Sequence, residues 1–265
     1  MDPLITIVTP CRNAAPYIER AIRSVINEQR VPVEYIIIDG GSTDGTVEII
    51  KKYAGAISYW VSEPDRGQTD ALIKGFARAS GKIFGWVCAD DYLENGALSH
   101  VVHAAQTSPD AVAWVGSCRR RSITNSLRNV ILPALDGFPD EKLWWRDVRI
   151  PQPSCFFSAA AYHKAGGLNP SMSLAMDLEL WLRLIKIGKM AIIPEILANA
   201  CIHDGTRSGS DPALTMCDAL TAYCINGHQK IAAELFKHYS RYEYWKQSLS
   251  RTMPIKALRK LLGRL

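Results

Sequence analysis

The chain has 265 residues, of which 48% are hydrophobic and 22% are charged, and its formal net charge is +5 at pH 7. This globular composition excludes a disordered or collagen-like chain, and the charge excess is too small to indicate nucleic-acid binding by itself. Seven scattered cysteines without C-x-x-C spacing argue against a zinc ribbon and favour a reducing compartment.

Short apolar runs alternate with amphipathic stretches along the first half of the chain. Strands are predicted at 4–9, 33–38, 57–61 and 83–88, with helices at 16–26, 46–53 and 71–79. This alternation is typical of an α/β fold with a Rossmann-like, mainly parallel sheet and helices on both faces.

The second half of the chain is less regular. Strands are predicted at 112–116, 154–158 and 190–193, helices at 159–165 and 176–187, and helical structure from residue 211 onward. No basic leader precedes the first strand, and no apolar run reaches the ~18 residues of a membrane span. We therefore expect a cytoplasmic protein, or one peripheral to the inner face of the cell membrane.

Polar residues follow each of the first four strands. They read TPCRN at 9–13, DGGSTDG at 39–45, EPDRG at 63–67 and ADD at 89–91. Ligands of such sheets bind beyond the carboxyl ends of the strands, so these acids favour a nucleotide or metal site. Asp39, in a glycine-rich turn, is placed to accept hydrogen bonds from a base or sugar. Adjacent Asp90 and Asp91 offer the hard oxygen ligands that suit Mg²⁺ or Mn²⁺.

These motifs together resemble family 2 glycosyltransferases of the GT-A fold. The segments that carry the resemblance are 5–13, 36–46, 63–75, 81–91 and PSCFFSAAAYHKAGGLNPSMSLAMDLELWLRL, so that it covers about the first 205 residues. It implies one GT-A-like domain at 1–210, with a nucleotide-binding half at about 1–117 and an acceptor half at about 118–210. Residues 211–265 would then form a helical, basic and amphipathic extension.

The resemblance also implies roles for single residues. The residues expected to bind the donor are Thr9, Pro10, Arg12, Asp39, Asp65, Asp70, Lys74, Asp90 and Arg207. Asp91 and His203 are expected at the metal, Mn²⁺ or Mg²⁺, and Gln152 and Trp181 at the acceptor. Two departures stand out: Gly40 replaces a second acid in the turn, and Ala89 breaks a strict Asp-x-Asp motif.

The catalytic base is expected to be a carboxylate of the acceptor half. Asp177 matches the family's base, although Met176 replaces the acid that usually precedes it. Glu179 is the alternative base, and it projects from a different face of the predicted helix.

The implied activity is metal-dependent sugar transfer from a nucleotide-diphosphate donor, most simply a UDP-sugar, to a hydroxyl of a glycan or lipid-linked acceptor. A single base and direct displacement predict inversion. The chain resembles the bacterial cell-envelope and exopolysaccharide enzymes of this family, and this resemblance implies a similar role. The alternatives are a catalytically silent nucleotide-sugar-binding or scaffold protein, and a nucleotidyltransferase, which would need glycines that the segment 9–13 lacks.

The C-terminal segment 237–265 holds eight basic side chains, one acid, four interleaved aromatic residues and an apolar stripe at 255–265. Such a helix suits either adsorption to an anionic membrane surface or packing of the stripe on the domain. RNA binding is disfavoured, because no known module accompanies the charge.

Overall fold

The computed structural model describes residues 4–28, 30–122, 130–132, 150–203, 206 and 212–240. The described strands are β1 (Ile5–Cys11), β2 (Val33–Asp39), β3 (Tyr59–Ser62), β4 (Ile83–Trp86), β5 (Tyr92–Leu93), β6 (Ala113–Ser122), β7 (Val130–Leu132), β8 (Cys155–Ser158) and β9 (Met190–Ile202). The described α-helices are α1 (Ile18–Ile26), α2 (Thr46–Lys52), α3 (Gln68–Phe76), α4 (Ala97–Thr107), α5 (Ala159–Lys164), α6 (Met176–Leu184), α7 (Pro212–Ile225) and α8 (Gln229–Ser240). Short 3-10 helices lie at Ala54–Ala56 and Gln152–Ser154.

The first half of the sheet is parallel, in the order β3-β2-β1-β4. Ile5 of β1 pairs with Val33 on one side and Ile83 on the other. Asp39, the last residue of β2, pairs with Ser62 at the end of β3. The carboxyl ends of these strands therefore meet at one edge, as the sequence predicts.

The second half of the sheet mixes strand directions. β8 runs antiparallel between β4 and β6, β9 runs parallel to β6, and β5 runs antiparallel to β9. The α/β fold class is confirmed, but parallel pairing dominates only in the first half. Strand direction depends on how the chain returns to the sheet, which the apolar periodicity of a strand does not encode.

β9 is much longer than the predicted strand 190–193. Pro194 directly follows the predicted strand, and proline lacks the N–H that a sheet ladder uses. The structure instead shifts the register of β6 against β9 at Gly116 and Ser117, opposite that proline. Such a bulge lets the strand continue to Ile202.

Two apolar cores cover the two faces of the sheet. Alternate residues of β2 divide between them, with Ile36 and Ile38 on one face and Ile37 on the other. The first face packs against α3, α5, α6, α7 and α8, and the second against α1, α2 and α4. Helices on both faces are thus confirmed.

The start of the predicted C-terminal extension packs on the domain. Leu220 and Tyr223 of α7 and Leu235 of α8 join the first core, and Asp218 accepts from the backbone N–H of Leu174 at 2.7 Å. The basic segment 241–265 lies outside the described residues. Among the helices that are described, none is long and apolar enough to cross a membrane.

Candidate active site

The turn after β2, residues 39–45, is organised by the buried Asp39 carboxylate. Asp39 accepts hydrogen bonds from the Ser42 N–H at 2.9 Å, from the Ser42 hydroxyl and from the Ser62 hydroxyl at 2.6 Å. It is fully buried, and the Cys11 thiol lies 3.5 Å from it. Asp39 therefore shapes the turn with its own oxygens, so the base or sugar contact expected of it stays a prediction.

Gly40, the position where an acid was expected, lies against Asp65. A Cβ atom at residue 40 would lie 2.6 Å from Asp65 Oδ2. The other oxygen of that carboxylate accepts from the Gly67 N–H at 2.8 Å. Glycine at position 40 thus makes room for Asp65 beside the β2 turn, which explains the departure from the paired-acid pattern.

Thr9, predicted to bind the donor, has its side chain turned into the protein, so its contact with a donor stays a prediction. Its side chain is fully buried, and its hydroxyl lies 3.0 Å from the Tyr35 hydroxyl. Alternation along β1 directs this side chain into the layer under the sheet and away from the edge. Pro10 is buried as well, whereas Arg12 is exposed just beyond the end of β1.

Asp70 and Lys74, predicted at the donor, belong to a network of charges on α3. Asp70 pairs with Arg66 at 2.9 Å, and this hydrogen bond lowers the pKa of the Asp70 carboxyl. Lys74 lies 2.9 Å from Glu63 and 3.7 Å from Asp70. Both predicted residues are therefore satisfied within the chain, and their contact with a donor stays a prediction.

The second candidate group follows β4 and consists of Cys88, Asp90 and Asp91, which we call the β4 cluster. One ligand atom from each of the three residues lies within 4.8 Å of the other two. Asp91 is 8% exposed and accepts from the Cys201 N–H at 2.9 Å. Burial raises the pKa of the Asp91 carboxyl well above its usual range, and the Asp90 charge raises it further.

Strand β9 brings His203 to this cluster. β5 pairs with β9, and this pairing places the end of β9 beside Asp91. His203 Nε2 then lies 3.1 Å from Asp90 Oδ2, and the imidazole stacks on Tyr17 with 4.4 Å between ring centroids. His203 therefore contacts the Asp90 carboxylate, and its expected place at the metal stays a prediction.

Asp177 approaches the same cluster from α6. Trp181, one turn further along α6, stacks on Trp86 of β4 with 5.5 Å between ring centroids, and this contact docks the helix on the end of β4. Burial raises the pKa of the Cys88 thiol, and the charges of Asp91, Asp90 and Asp177 raise it further. The charge of Asp177, from a distant segment, therefore acts on the same thiol as the charges of Asp90 and Asp91.

Burial also raises the pKa of the Asp177 carboxyl itself, although the Leu178 N–H donates to it at 2.8 Å. The alternative base, Glu179, is 2% exposed and forms a two-pronged ion pair with Arg183 at 2.8 and 2.5 Å. Since both oxygens of Glu179 are bound inside the helix layer, Asp177 is the better placed base.

The two predicted acceptor residues differ in position. Gln152 is partly buried, donates to the Trp86 carbonyl at 2.8 Å and places its side-chain oxygen 3.6 Å from Cys88 Sγ. Trp181 is 3% exposed and packs on Trp86 and Phe157 in the core, and its acceptor role stays a prediction. Its indole ring packs against these two side chains, and this packing holds α6 on the sheet.

Sequence reasoning missed several neighbours of the acids. Cys88 was treated only as one of seven scattered cysteines, although its two-residue offset from Asp90 was visible. Arg20 of α1 donates to the Cys201 sulfur at 3.0 Å and to the Asp90 carbonyl at 3.4 Å. Gln68 donates to Cys88 at 3.1 Å. The predicted donor residue Arg207 lies outside the described residues.

The β4 cluster fits a divalent cation chemically. Its carboxylates suit Mn²⁺ or Mg²⁺, and Asp91 is a buried acid beside a second acid, which is unfavourable without a compensating cation. In the part of the chain that the structure describes, no Lys or Arg forms an ion pair with Asp91. Asp90 and Asp91 are therefore the residues that would hold the ion.

Comparison with known sequences gives consistent matches. The family model described as Glycosyl transferase family 2 matches residues 6–165. A chondroitin synthase of Pasteurella multocida (strain Pm70) is 29% identical over 210 residues, covering 78% of this chain and 21% of that protein. An uncharacterised glycosyltransferase of Mycobacterium tuberculosis (strain CDC 1551 / Oshkosh) is 29% identical over 211 residues, covering 78% of each chain. This chain thus spans about a fifth of the synthase's length.

Solved structures share the fold. Residues 1–349 of S. aureus TarS, in complex with UDP-GlcNAc, give a TM-score of 0.71 at 14% identity, covering 98% of this chain and 79% of that one. The mannosyltransferase PcManGT from Pyrobaculum calidifontis, in complex with GDP-Man and Mn²⁺, gives a TM-score of 0.60 at 17% identity. This match covers 93% of this chain and 83% of that one. At these identities the likeness establishes the GT-A architecture.

Proposed function

Because the chain belongs to glycosyl transferase family 2, whose model matches residues 6–165, we propose that it transfers a sugar from a nucleoside-diphosphate donor to an acceptor hydroxyl. The transfer uses a divalent cation and inverts the anomeric carbon. The observation that carries the proposal is the β4 cluster, in which Asp90 and Asp91 lie together beside the Cys88 thiol. The charge of Asp177, from the second half of the chain, also acts on that thiol, which supports a base facing the donor site.

Asp177 is the proposed general base. Its carboxylate takes the proton of the acceptor hydroxyl as that oxygen attacks the anomeric carbon, and the bond to the nucleoside diphosphate breaks. One displacement on the face opposite the leaving group inverts the carbon. The raised pKa of Asp177 suits this role, because a base works best when its pKa approaches the working pH.

The cation belongs with the acids of the β4 cluster. Asp90 and Asp91 would hold Mn²⁺ or Mg²⁺, and His203 would orient Asp90 through their 3.1 Å contact. When bound, such an ion stabilises the negative charge that develops on the departing diphosphate. Arg20 steadies the same loop from the other side by donating to the Asp90 carbonyl.

The donor base and the acceptor are narrower proposals. We expect a UDP-sugar, held at the β2 turn beside Asp65, and an acceptor hydroxyl on a glycan or a lipid-linked sugar. A relative named for the synthesis of a polysaccharide supports a glycan acceptor. Peripheral contact of segment 241–265 with an anionic membrane stays a prediction.

The test is release of nucleoside diphosphate from a panel of UDP- and GDP-sugars, with Mn²⁺, with Mg²⁺ and with a chelator. We expect slow, metal-dependent hydrolysis of donors that share one base, and its loss in Asp91→Asn. Donor binding without turnover, with every acceptor offered, would favour a silent nucleotide-sugar-binding protein. Consumption of nucleoside triphosphates would indicate a nucleotidyltransferase instead.

A further inference from the structure

Cys88 is the one residue of the β4 cluster that the proposed mechanism leaves without a role. It follows Trp86 at the end of β4 and precedes Asp90 by two residues, so one short loop presents a thiol and two carboxylates together. All three ligand atoms lie within 4.8 Å of one another. A sulfur and an oxygen bound to one zinc-like ion at about 2.3 and 2.0–2.2 Å are at most about 4.5 Å apart, which is compatible with atoms that lie within 4.8 Å of one another.

The sulfur atom is held in position from two sides. Gln68, at the start of α3, donates to Cys88 Sγ at 3.1 Å, and the Gln152 side-chain oxygen lies 3.6 Å from the same atom. Gln152 is itself fixed by its 2.8 Å hydrogen bond to the Trp86 carbonyl. Two amide side chains from separate segments thus keep the thiol within the cluster and limit its rotation out of the site.

Asp91 supplies an independent sign that a cation belongs beside this thiol. Its side chain is only 8% exposed, and its Oδ1 accepts from the Cys201 N–H. In the described part of the chain, no Lys or Arg forms an ion pair with this carboxylate. A buried carboxylate beside a second carboxylate is stabilised by a positive partner at that position.

We propose that Cys88 is a third ligand of the divalent cation, so that the site binds its ion through one sulfur and two carboxylate oxygens. This inference rests on the proposed function and specifies the class of ion. On coordination the S–H proton leaves to solvent, the sulfur–metal bond forms, and Gln68 continues to donate to the sulfur. Thiolate ligands select softer ions, so the site favours Zn²⁺, Co²⁺ or Cd²⁺ over Mg²⁺ more strongly than an all-oxygen site does.

The test is titration of the full chain with Cd²⁺, followed by ultraviolet sulfur-to-metal charge-transfer absorption and by calorimetry. Wild type should develop the absorption with about one equivalent of Cd²⁺. Cys88→Ser should lose it and bind Cd²⁺ at least about tenfold more weakly, the lower limit for disturbing a metal's surroundings. Mn²⁺ affinity should change much less. Cys224→Ser, which alters another partly buried cysteine on α7, is the matched control and should behave as wild type.

Cys88→Asp is a second variant, since it replaces sulfur by oxygen and should bind Mn²⁺ without the absorption. An unchanged Cd²⁺ spectrum and affinity in a folded Cys88→Ser would overturn the inference. If Mn²⁺ still binds and Asp91→Asn abolishes that binding, the proposed function survives this failure. If wild type binds no divalent ion, the inference fails, and the nucleotide-release assay decides the proposed function separately.

Discussion

At the scale of single residues, the central distinction is between Asp177 and Glu179, two acids two positions apart on α6. The charge of Asp177 raises the pKa of the Cys88 thiol in the β4 cluster, whereas both oxygens of Glu179 pair with Arg183. Asp177→Asn should therefore lower the transfer rate by at least about 100-fold while leaving nucleotide binding intact. The transfer rate is measured with saturating donor, and nucleotide binding is measured by the rise in melting temperature that the nucleotide causes.

The matched control is Glu179→Gln. This change removes the charge that pairs with Arg183. Because Glu179 is 2% exposed, losing this buried pair should lower the free energy of unfolding by about 1–3 kcal/mol. Its transfer rate below the melting temperature should stay near that of wild type. If Glu179→Gln abolished transfer in a folded protein while Asp177→Asn did not, the assignment of the base would be reversed.

The raised pKa of Asp177 predicts a pH dependence. The base acts as a carboxylate, so the transfer rate should fall as the pH drops through a pKa above the ordinary value of about 3.9 for aspartate. Between the ordinary and the raised pKa the folded state holds more protons than the unfolded state. The contribution of Asp177 to stability is therefore largest at low pH and is lost as the pH rises through that window.

Two measurements check this sign. The rate profile should lose its acidic limb in Asp177→Asn, and the melting temperature of that variant should exceed that of wild type by a margin that grows as the pH rises. The buried environment of Asp177 would be contradicted if the wild-type rate fell only at the ordinary aspartate pKa. It would also be contradicted if the melting-temperature difference between Asp177→Asn and wild type did not change with pH.

Several candidate acids of the site could be predicted from the sequence, because a carboxylate directly after a buried strand rarely has a purely structural role. Asp91 was singled out on that ground together with the resemblance, whereas Asp177 was singled out because it matches the base of the resembled family. The burial of Trp181 was not predictable, because a sequence pattern does not show whether an aromatic side chain of a helix reaches solvent or stacks on the sheet. Cys88 was passed over, because the burial and neighbours of a thiol depend on contacts between distant segments.

At the scale of elements, the β2 turn depends on the small residue at position 40. Gly40→Ala would place a carbon 2.6 Å from Asp65 Oδ2 and force that carboxylate to move. We expect nucleotide affinity to fall severalfold, with a stability change of no more than about 1 kcal/mol. Binding is measured by calorimetry with the nucleoside diphosphate that the donor panel identifies.

Gly55→Ala provides the control for this change. A Cβ at residue 55 meets no atom of the described residues within 4 Å. This variant should bind nucleotide as wild type does. Equal affinity of Gly40→Ala and Gly55→Ala would show that Asp65 and the β2 turn do not contact the donor.

The elements of the first half were predictable because each strand is a buried run of branched residues bounded by a polar turn. Helix α4 was not predicted, since its buried residues are confined to Ala97, Leu98 and Val101 in its first half. The continuation of β9 past Pro194 was also missed. It depends on a bulge in β9 itself, where Pro194 and Glu195 are extra residues against β6, and the local sequence does not show which strand β9 pairs with.

At the scale of the whole molecule, the sheet joins two halves with different tasks. The parallel half sets Asp39 and the β4 cluster at one edge, and the mixed half returns β9 and α6 to that edge with His203 and Asp177. Fold class was predictable from the alternation of strands and helices. The order of the second-half strands was not, because it is decided by long-range pairing.

The most direct measurement of the central claim is the melting temperature of wild type and Asp91→Asn with UDP or GDP, each with and without Mn²⁺. A ligand at 100 times its Kd stabilises the folded state by about 2.7 kcal/mol, or roughly 5–10 °C for a domain of this size. We predict such a rise with one nucleotide, dependent on Mn²⁺ and absent from Asp91→Asn. No rise with either nucleotide, or an equal rise without metal and in the variant, would contradict a metal-dependent nucleotide-sugar site at the β4 cluster.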